Sequence, residues 1–298
     1  MLRNLMLTLA YDGADFHGWQ HQPQLRTVQG TLETALRRVL RHQVRVIGCS
    51  RTDAGVHAAA YVANLYSTSP TECRSIFRGV GSRLPKDMTL LRVEDVPLTF
   101  HATSSALSKL YRYRIHNTPM RPCEQLNQRF VYHFWHPLDP DRMRRAADAW
   151  IGTHDFSSFA SAGNERESNI RTVLAIHLYR HDLEIRMDIE GEGFLYKQVR
   201  NMMGTLIEIG RGHWEVDRAA EILAARRRSA AGPTAAARGL SLQWVRYDLT
   251  SLPEPSAELL ERARTAAHPA GAQRANVERR SASTAPAPPD AGIEEPPA

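Results

Sequence analysis

The 298-residue sequence lacks the features that define several protein classes. Its three cysteines, Cys49, Cys73 and Cys123, are odd in number and have no CxxC spacing, which indicates neither a disulfide framework nor a zinc site. No apolar run approaches the roughly 18 residues of a membrane span. The apolar start at residues 5–10 is too short for the core of a signal peptide. These absences predict a soluble protein of the reducing cytoplasm.

Common patterns for binding cofactors are missing as well. No GxGxxG loop follows a strand pattern and no GxxxxGKS/T loop occurs, so the sequence shows no cradle for a nucleotide cofactor. Thirteen histidines are present, yet they form no HExxH motif and no His–Cys cluster with ligand spacing. The sequence therefore predicts no metal site.

Positive charge is present, and it is concentrated outside the C-terminal tail. The whole chain carries a net charge of +6. From residue 251 onward five arginines face seven acidic residues, which leaves a net charge of +8 on the rest. Such a surface attracts phosphate, so nucleic acid is an expected partner. Residues 251–298 are rich in Pro and Ala without an apolar period, which predicts a disordered tail.

The first half of the chain alternates strand and helix patterns. Residues 5–11 favour a strand that the Asp12-Gly13 turn signal ends. Apolar residues at helical spacing follow Thr27, which fits an N-cap. Residues 44–49 and 57–67 then favour two strands, with the polar loop SRTDAGV between them.

The second half repeats this order. A helix pattern begins near Pro140, and residues 183–189 alternate apolar and charged side chains, as in an antiparallel sheet covered on one face. Residues 194–210 predict another helix. We expect an α+β protein with an N-terminal domain at residues 1–106 and a C-terminal domain at residues 107–250.

The loop CSRTDAGVHA holds one carboxylate, Asp53, two residues after Arg51. A simple turn would explain these residue types, because an Asp side chain can satisfy backbone amides. In favour of a functional loop, a guanidinium neighbour keeps a carboxylate ionised, and Gly55 lets the backbone approach a ligand closely. Such an aspartate suits nucleophilic attack or charge stabilisation.

The segment SKLYRYRIHN places Tyr111 and Tyr113 on one face of a predicted strand and Arg112 and Arg114 on the other. Aromatic residues beside basic ones can stack on bases and contact phosphates. A half-buried strand with a solvated basic face would give the same pattern.

The helix pattern in GEGFLYKQVRNMMGTL carries one cation, Arg200, beside the apolar residues Met202, Met203 and Leu206. A charge so close to an apolar stripe needs a partner, and Asp53 is the candidate. The alternative is that Arg200 extends to water along its aliphatic stem.

At these segments the sequence resembles the TruA family of tRNA pseudouridine synthases. The similarity runs through LAYDGADFHGWQ, RTVQGTLETAL, CSRTDAGVHA, FHATSSALSKLYRYRI, DFSSF, FLYKQVRNMMGTL and AGPTAAARGLSL, and spans nearly all of residues 1–250. The resemblance implies two similar ferredoxin-like or RRM-like halves, whose antiparallel sheets join into one, with a basic active-site cleft between them. It also implies a homodimer.

The resemblance further implies an activity and its residues. The family isomerises uridine to pseudouridine at positions 38, 39 and 40 of the tRNA anticodon stem-loop, without a metal or organic cofactor. The implied site consists of the nucleophile Asp53, the substrate-binding residues Tyr111, Arg51 and Arg171, and the supporting residues Arg200 and Leu240.

Two chemical routes stay open at this stage. The base must leave its stack before the bond between C1′ and N1 breaks and a bond to C5 forms. Asp53 can attack C1′, or it can remove the proton at C2′ to give a glycal. The phenol of Tyr111 is a candidate base for the proton at C5.

Several positions depart from the family pattern. Thr103 stands where Arg is common, Gly81 and Ser82 replace an Asn-Ala pair, Gln198 replaces Met, and Ala236 replaces Pro. None of them is an implied site residue, so we expect them to affect the grip on RNA.

Two other functions fit part of the sequence. A non-catalytic RNA-binding or chaperone protein needs the basic body and the tyrosines but has no use for Asp53. A hydrolytic N-glycosidase needs a second carboxylate or an activated water near the sugar.

Overall fold

The structure is a computed structural model that describes residues 1–121, 128–161 and 168–267. These residues form ten strands and six α-helices, which confirms the α+β class. The strands are β1 (Arg3–Tyr11), β2 (Ile47–Gly48), β3 (His57–Ser67), β4 (Met88–Val96), β5 (Ala106–His116), β6 (Tyr132–His133), β7 (Gly152–Asp155), β8 (Ile170–His181), β9 (Glu184–Gly191) and β10 (Leu240–Tyr247). The helices are α1 (Val28–Leu40), α2 (Cys73–Gly81), α3 (Pro140–Asp148), α4 (Gln198–Gly210), α5 (Arg218–Ala225) and α6 (Ala257–Ala267).

All ten strands belong to one sheet, with the main order β4-β1-β3-β10-β5-β9-β8-β7. In the first half β1 lies between β3 and β4 and pairs antiparallel with both. In the second half β5 lies in the same way between β9 and β10. The two halves therefore repeat one arrangement, as in ferredoxin-like units, and their sheets join into one as expected.

The halves meet at a short seam between β3 and β10. These strands run parallel, and only two residue pairs join them, His57 with Ser241 and Ala58 with Leu242. Both strands begin near this point, so the loop before β3 and the segment before β10 lie at the same end of the sheet. The seam thus brings the SRTDAGV loop to the boundary between the two halves.

Helix α1 confirms its predicted start. The side chain of Thr27 accepts a hydrogen bond from Gly30 N, 3.3 Å away, and so caps the helix. Its apolar face, which includes the fully buried Leu32 and Leu36, packs into the core that both halves share. Burial of this face, rather than helix propensity alone, holds α1 against the sheet.

The strand predicted at residues 44–49 is shorter in the structure, where only Ile47 and Gly48 pair with β3. The reason lies in α1. The carboxylate of Glu33 accepts a hydrogen bond from Val46 N, and Gln29 donates to Val46 O. Side chains thus satisfy the backbone groups that a longer strand would have paired.

The helix predicted at residues 194–210 begins later, at Gln198. Lys197 has a φ of 60°, a left-handed conformation that interrupts a right-handed helix. Residues 192–197 therefore form a loop over the sheet, which places Phe194 next to β5.

The prediction of disorder from residue 251 onward is wrong for residues 257–267, which form α6. Ala263 and Ala267 are buried there against Tyr66 of β3. Residues 268–298, the rest of the predicted tail, lie outside the described residues. Among the residues that are described, no helix is long and apolar enough to cross a membrane.

Candidate active site

The loop that carries Asp53 is held at several backbone positions. Cys49 N donates to Val62 O, and Trp19 N donates to Thr52 O at 3.0 Å. Gly18 allows this close approach, because a Cβ at this position would lie 2.6 Å from Thr52 O. The backbone of the loop is therefore fixed against the N-terminal half at Cys49 and at Thr52.

Buried side chains from both halves complete the anchoring of the loop. Tyr61, on β3, donates a short hydrogen bond to Ser50 O. Lys109, on β5, is 7% exposed, and its Nζ donates to Cys49 O at 2.8 Å. Charged donors make the stronger hydrogen bonds to carbonyl groups. The loop thus depends on β5 as well as on its own half.

Asp53 and Arg200 form an ion pair across the seam. Nη1 of Arg200 lies 2.5 Å from Oδ2 of Asp53, and the two side chains are 14% and 15% exposed. The predicted partnership is therefore present, and Arg200 does not extend to water. No donor among the described residues contacts Oδ1 of Asp53, so this oxygen is available to a substrate.

Arg200 is itself positioned by the segment before β10. Its Nε donates to Ala235 O at 2.8 Å, and its backbone oxygen accepts from Ala235 N at 3.1 Å. The segment can approach α4 because residue 204 is Gly; a Cβ there would lie 1.7 Å from Pro233 O. The guanidinium is consequently fixed by a backbone carbonyl on one side and by Asp53 on the other.

Tyr111 lies beside this pair but is almost fully covered, at 5% exposure. Its hydroxyl donates to Ser50 Oγ at 3.1 Å, and its ring meets Phe194 at 89° with centroids 5.4 Å apart. Burial raises the pKa of the Tyr111 phenol well above its usual value, and the nearby charge of Asp53 acts in the same direction. A phenol with a raised pKa is protonated at neutral pH, and its role as the base for the proton at C5 stays a prediction.

The alternation along β5 is confirmed, but its arginines are already paired. Tyr111 and Tyr113 are buried on one face, while Arg112 and Arg114 lie on the other. Two bonds of 2.6 Å join Arg112 to Asp188, and Arg114 pairs with Glu184. These arginines therefore do not contact phosphates beside Asp53, on the tyrosine face of the strand.

The other site residues that the family resemblance implies are Arg51, Leu240 and Arg171. Arg51 is exposed and forms no ion pair with Asp53 in the described part of the chain, so Arg200 is the cation that holds the carboxylate. Leu240 is 6% exposed and lies opposite Tyr113 at the start of β10. Arg171 donates to Ser168 O from β8, which β9 separates from β5.

The sequence interpretation missed residues that act on the loop or on Arg200. Lys109 shares its face with Tyr111 at a spacing of two, so a cation on the apolar face of β5 was a readable signal. Ala235 acts through its backbone oxygen, which no side-chain pattern reveals.

Three departures from the family pattern also have visible contacts: Thr103 donates to Gly48 O, the buried Gln198 accepts from Leu195 N, and Ala236 O accepts from Tyr113.

Metal-binding side chains do not gather at this site. In residues 1–121, 128–161 and 168–267, no group of three or more His, Cys, Asp or Glu is placed to hold a metal ion. The chemistry that the site offers is that of one carboxylate, one guanidinium and a protonated phenol.

Comparison with known proteins adds a family to this geometry. A family model described as tRNA pseudouridine synthase matches residues 8–103 and 146–248. The protein is 41% identical to tRNA pseudouridine synthase A of Acetivibrio thermocellus over 246 residues, which cover 83% of this chain and all of the relative. It is 43% identical to the enzyme of the same name from Halalkalibacterium halodurans, over 80% of this chain and 90% of that one.

Similarity to solved structures is much weaker. A chain in the crystal structure of a Cbf5-Nop10-Gar1 complex aligns with a TM-score of 0.34 and 10% identity, over 80% of this chain and 57% of that chain. A likeness at this level adds nothing to the match in sequence.

Proposed function

Since this chain belongs to the tRNA pseudouridine synthase family, whose members are isomerases, we propose that it converts uridine to pseudouridine at positions 38, 39 and 40 of the tRNA anticodon stem-loop. Asp53 is the nucleophile of this proposal and acts on a uridine that has left its stack. The observation that supports it most directly is the Asp53–Arg200 pair, in which one carboxylate oxygen is held and the other is open to substrate.

Two routes connect this geometry to the product. In the first, Oδ1 of Asp53 attacks C1′, the bond to N1 breaks, and uracil leaves with the bonding electrons. The turned uracil then attacks C1′ through C5 and displaces the carboxylate. In the second, Asp53 takes the proton at C2′ as the bond to N1 breaks, and the resulting glycal regains this proton when C5 bonds to C1′. Both routes start from an ionised Asp53.

Arg200 and Tyr111 have distinct tasks in either route. The guanidinium of Arg200 keeps the carboxylate in one orientation, which limits the motion lost on reaching the transition state. The ring of Tyr111 supplies a surface for the everted base. Both routes also need an acceptor for the proton at C5, and the phenol of Tyr111 is the candidate.

RNA binding in this proposal uses the surplus positive charge of the chain. Arg51 is exposed beside Asp53, so it is placed to contact a phosphate that flanks the target nucleotide. Arg171 and Leu240 are proposed to contact and support the substrate from the C-terminal half. We place the two domains at residues 1–106 and 107–250, and we propose a cytoplasmic homodimer in which one RNA lies across both subunits.

The test is pseudouridine formation in an unmodified anticodon stem-loop transcript, mapped by carbodiimide-dependent stops of reverse transcription. The wild-type protein should produce stops at the three named positions. Asp53→Asn, which keeps the shape of the side chain, should lower the rate at least about 10⁴-fold while the affinity for RNA changes little. An active Asp53→Asn protein would overturn the assignment of the nucleophile.

The same assay separates the two other functions. Wild-type protein that binds the transcript with a steep salt dependence and forms no pseudouridine would be an RNA-binding protein without catalysis. Release of free uracil would identify an N-glycosidase.

A further inference from the structure

A small cavity lies on the sheet face opposite to Tyr111, directly across the seam between the two halves. Its volume is about 270 Å³. The strand register places His57 of β3, Ser241 of β10 and Arg112 of β5 side by side in one row. Three neighbouring strands span about 10 Å. One residue from each therefore faces the same space, and the space belongs to both halves.

The charge around this cavity is positive. It is lined by the three guanidinium groups of Arg112, Arg114 and Arg186, and in the described part of the chain two carboxylates, Asp188 and Glu184, pair with them. Arg186 uses its Nε alone, and its two terminal nitrogens donate to no acceptor in the described residues. These three guanidinium groups therefore carry one positive charge more than the carboxylates paired with them, and Arg186 has spare donors.

His57 contributes a buried ring nitrogen that lacks a well-placed partner. The side chain is 3% exposed, and its Nε2 makes no hydrogen bond of acceptable geometry among the described residues, although the backbone of Arg129 and of Arg238 lies near the ring. Gly13 N donates to Nδ1 at 3.0 Å, and Asp12 Oδ1 lies 3.1 Å from the same nitrogen. A neutral ring that accepts the bond from Gly13 carries its proton on Nε2. A buried N–H group of this kind costs free energy unless an acceptor reaches it.

The remaining polar groups complete a set of donors. Ser241 offers a hydroxyl, and Gln243 offers an amide whose only described contact is a long one of 3.4 Å to Ser241 O. A phosphate group presents three strong acceptor oxygens and negative charge, which guanidinium donors match. The geometry points to a binding site for one phosphate group in the cavity that His57, Ser241 and Arg112 share.

A bound phosphate would connect β3, β10 and β5 at the place where the two halves share only two residue pairs. Because it binds the folded chain, it stabilises that state by an amount that rises with the logarithm of its concentration above Kd. Its source is a free phosphate or phosphomonoester, or else a backbone phosphate of the bound RNA, whose non-bridging oxygens would use the same donors. The site lies on the other face of the sheet from Asp53, so it is additional to the proposed catalytic function.

The experiment is thermal unfolding of the full chain in inorganic phosphate and in chloride at equal ionic strength. We expect phosphate to raise Tm by about 2–4 °C, with a further rise that follows the logarithm of phosphate concentration above Kd. Gln243→Glu is nearly isosteric and places a negative charge in the cavity, so it should abolish the phosphate-specific rise. Gln43→Glu adds the same charge at an exposed position after α1 and should keep the rise.

A second measurement reports on the site directly. In protein labelled with ¹⁵N at histidine, the Nε2 signal of His57 should move with phosphate in the wild type and in Gln43→Glu, and stay unmoved in Gln243→Glu. The phosphate site would be overturned if Tm were equal in phosphate and in chloride. It would also be overturned if Gln243→Glu kept the phosphate response of the wild type. Water would then be the partner of His57.

The two sources are separated by adding the stem-loop to Asp53→Asn protein. If RNA removes the phosphate dependence of Tm and sets the His57 signal at its bound position, the group belongs to the RNA. If phosphate still acts on the RNA complex, the ligand is a free phosphate or phosphomonoester. Neither readout requires pseudouridine formation, so failure of this site and failure of the proposed activity give different results.

Discussion

The two halves of the molecule share a strand arrangement but supply the candidate site in different ways. The N-terminal half presents Asp53 on an irregular loop. The C-terminal half presents Arg200 on α4, a helix in which eleven of thirteen residues are buried. The anion is thus on the segment with the least regular structure, and the cation is on one of the most buried helices.

This difference shows which contacts determine the position of Asp53. The loop that carries Asp53 has no helix or strand pairing of its own, so side chains determine its position. Tyr61 comes from its own half, whereas Lys109 and Tyr111 come from the other. Neither half alone therefore contains all the contacts that orient Asp53.

Among the variants that test this comparison of the two halves, the largest effect is expected from removing the cation of the C-terminal half. Arg200→Met leaves Asp53 as a largely buried carboxylate without a partner, which costs about 3–5 kcal/mol. We expect kcat/KM for pseudouridine formation to fall at least about 100-fold. Arg218→Met, which breaks the exposed pair with Glu221 on α5, is the control and should stay within about twofold. Normal activity of Arg200→Met would show that the loop orients Asp53 unaided.

A smaller effect is expected from cutting the link between the C-terminal half and the loop. Lys109→Met removes a charged hydrogen bond to Cys49 O, worth about 1.5–3 kcal/mol. We expect kcat to fall about tenfold with little change in KM, because the loop shifts while the RNA surface stays. Lys109→Arg keeps a donor and should recover part of kcat.

Lys86→Met, at an exposed position, is the matched control for Lys109→Met and should have no effect. A change confined to KM, or an unchanged kcat, would remove Lys109 from the positioning of the loop.

The seam should also make stability depend on pH. Burial lowers the pKa of His57, although Asp12 acts in the opposite direction. The unfolded chain therefore binds a proton at this residue below about pH 6.5 while the folded chain resists it. The contribution of His57 is present above that pH and is lost as pH falls below it, by at most about 1.4 kcal/mol per pH unit.

Urea unfolding at pH 7.5, 6.5 and 5.5 checks this dependence. His57→Gln should show a flatter decline of the free energy of unfolding than the wild type. His17→Gln, at an exposed position, should decline as steeply as the wild type. Identical slopes for wild type and His57→Gln would contradict the role of His57.

The smallest effect is expected from an element that belongs to the N-terminal half alone. A chain that ends at Pro255 lacks α6, which buries Ala263 and Ala267 against Tyr66. Burial of these small side chains contributes about 1–2 kcal/mol, so Tm should fall by a few degrees while kcat/KM stays within about twofold. A tenfold loss of activity would place α6 in the catalytic machinery.

Local patterns in the sequence were sufficient for most elements. The strict alternation at residues 183–189 became β9, and the apolar spacing after Thr27 became α1, because each pattern matches the one face that the element buries. Two α+β halves also follow from the order of these elements, whereas the joining of their sheets was implied by the family resemblance.

The errors in the predicted bounds of helices and strands occurred where other features of the fold override the local preference of the sequence for a helix or a strand. Glu33 takes the amide of Val46 and shortens β2, and the left-handed backbone of Lys197 delays α4. In α6 the residues Leu259, Leu260 and Ala263 do recur at helical spacing, but the surrounding Pro and Ala content concealed them.

The two charged residues of the candidate site were also predicted from local sequence patterns. Asp53 and Arg200 are separated by 147 residues, and each was singled out as a charge that needed a partner. The structure confirms the contact that was proposed between them. Arg51, the nearer cation in sequence, is exposed and forms no ion pair with Asp53 among the described residues.

The perpendicular ring of Phe194 over Tyr111 has a consequence for the speed of the reaction. In the proposed reaction a uracil needs the ring surface of Tyr111, which Phe194 contacts and which is almost fully covered in this structure. The proposal therefore requires the loop at residues 192–197 to withdraw before a base binds, and it predicts an apparent affinity that is reduced to the extent that the withdrawn conformation is rare. The opening frequency of a six-residue loop would then limit turnover together with the chemical step.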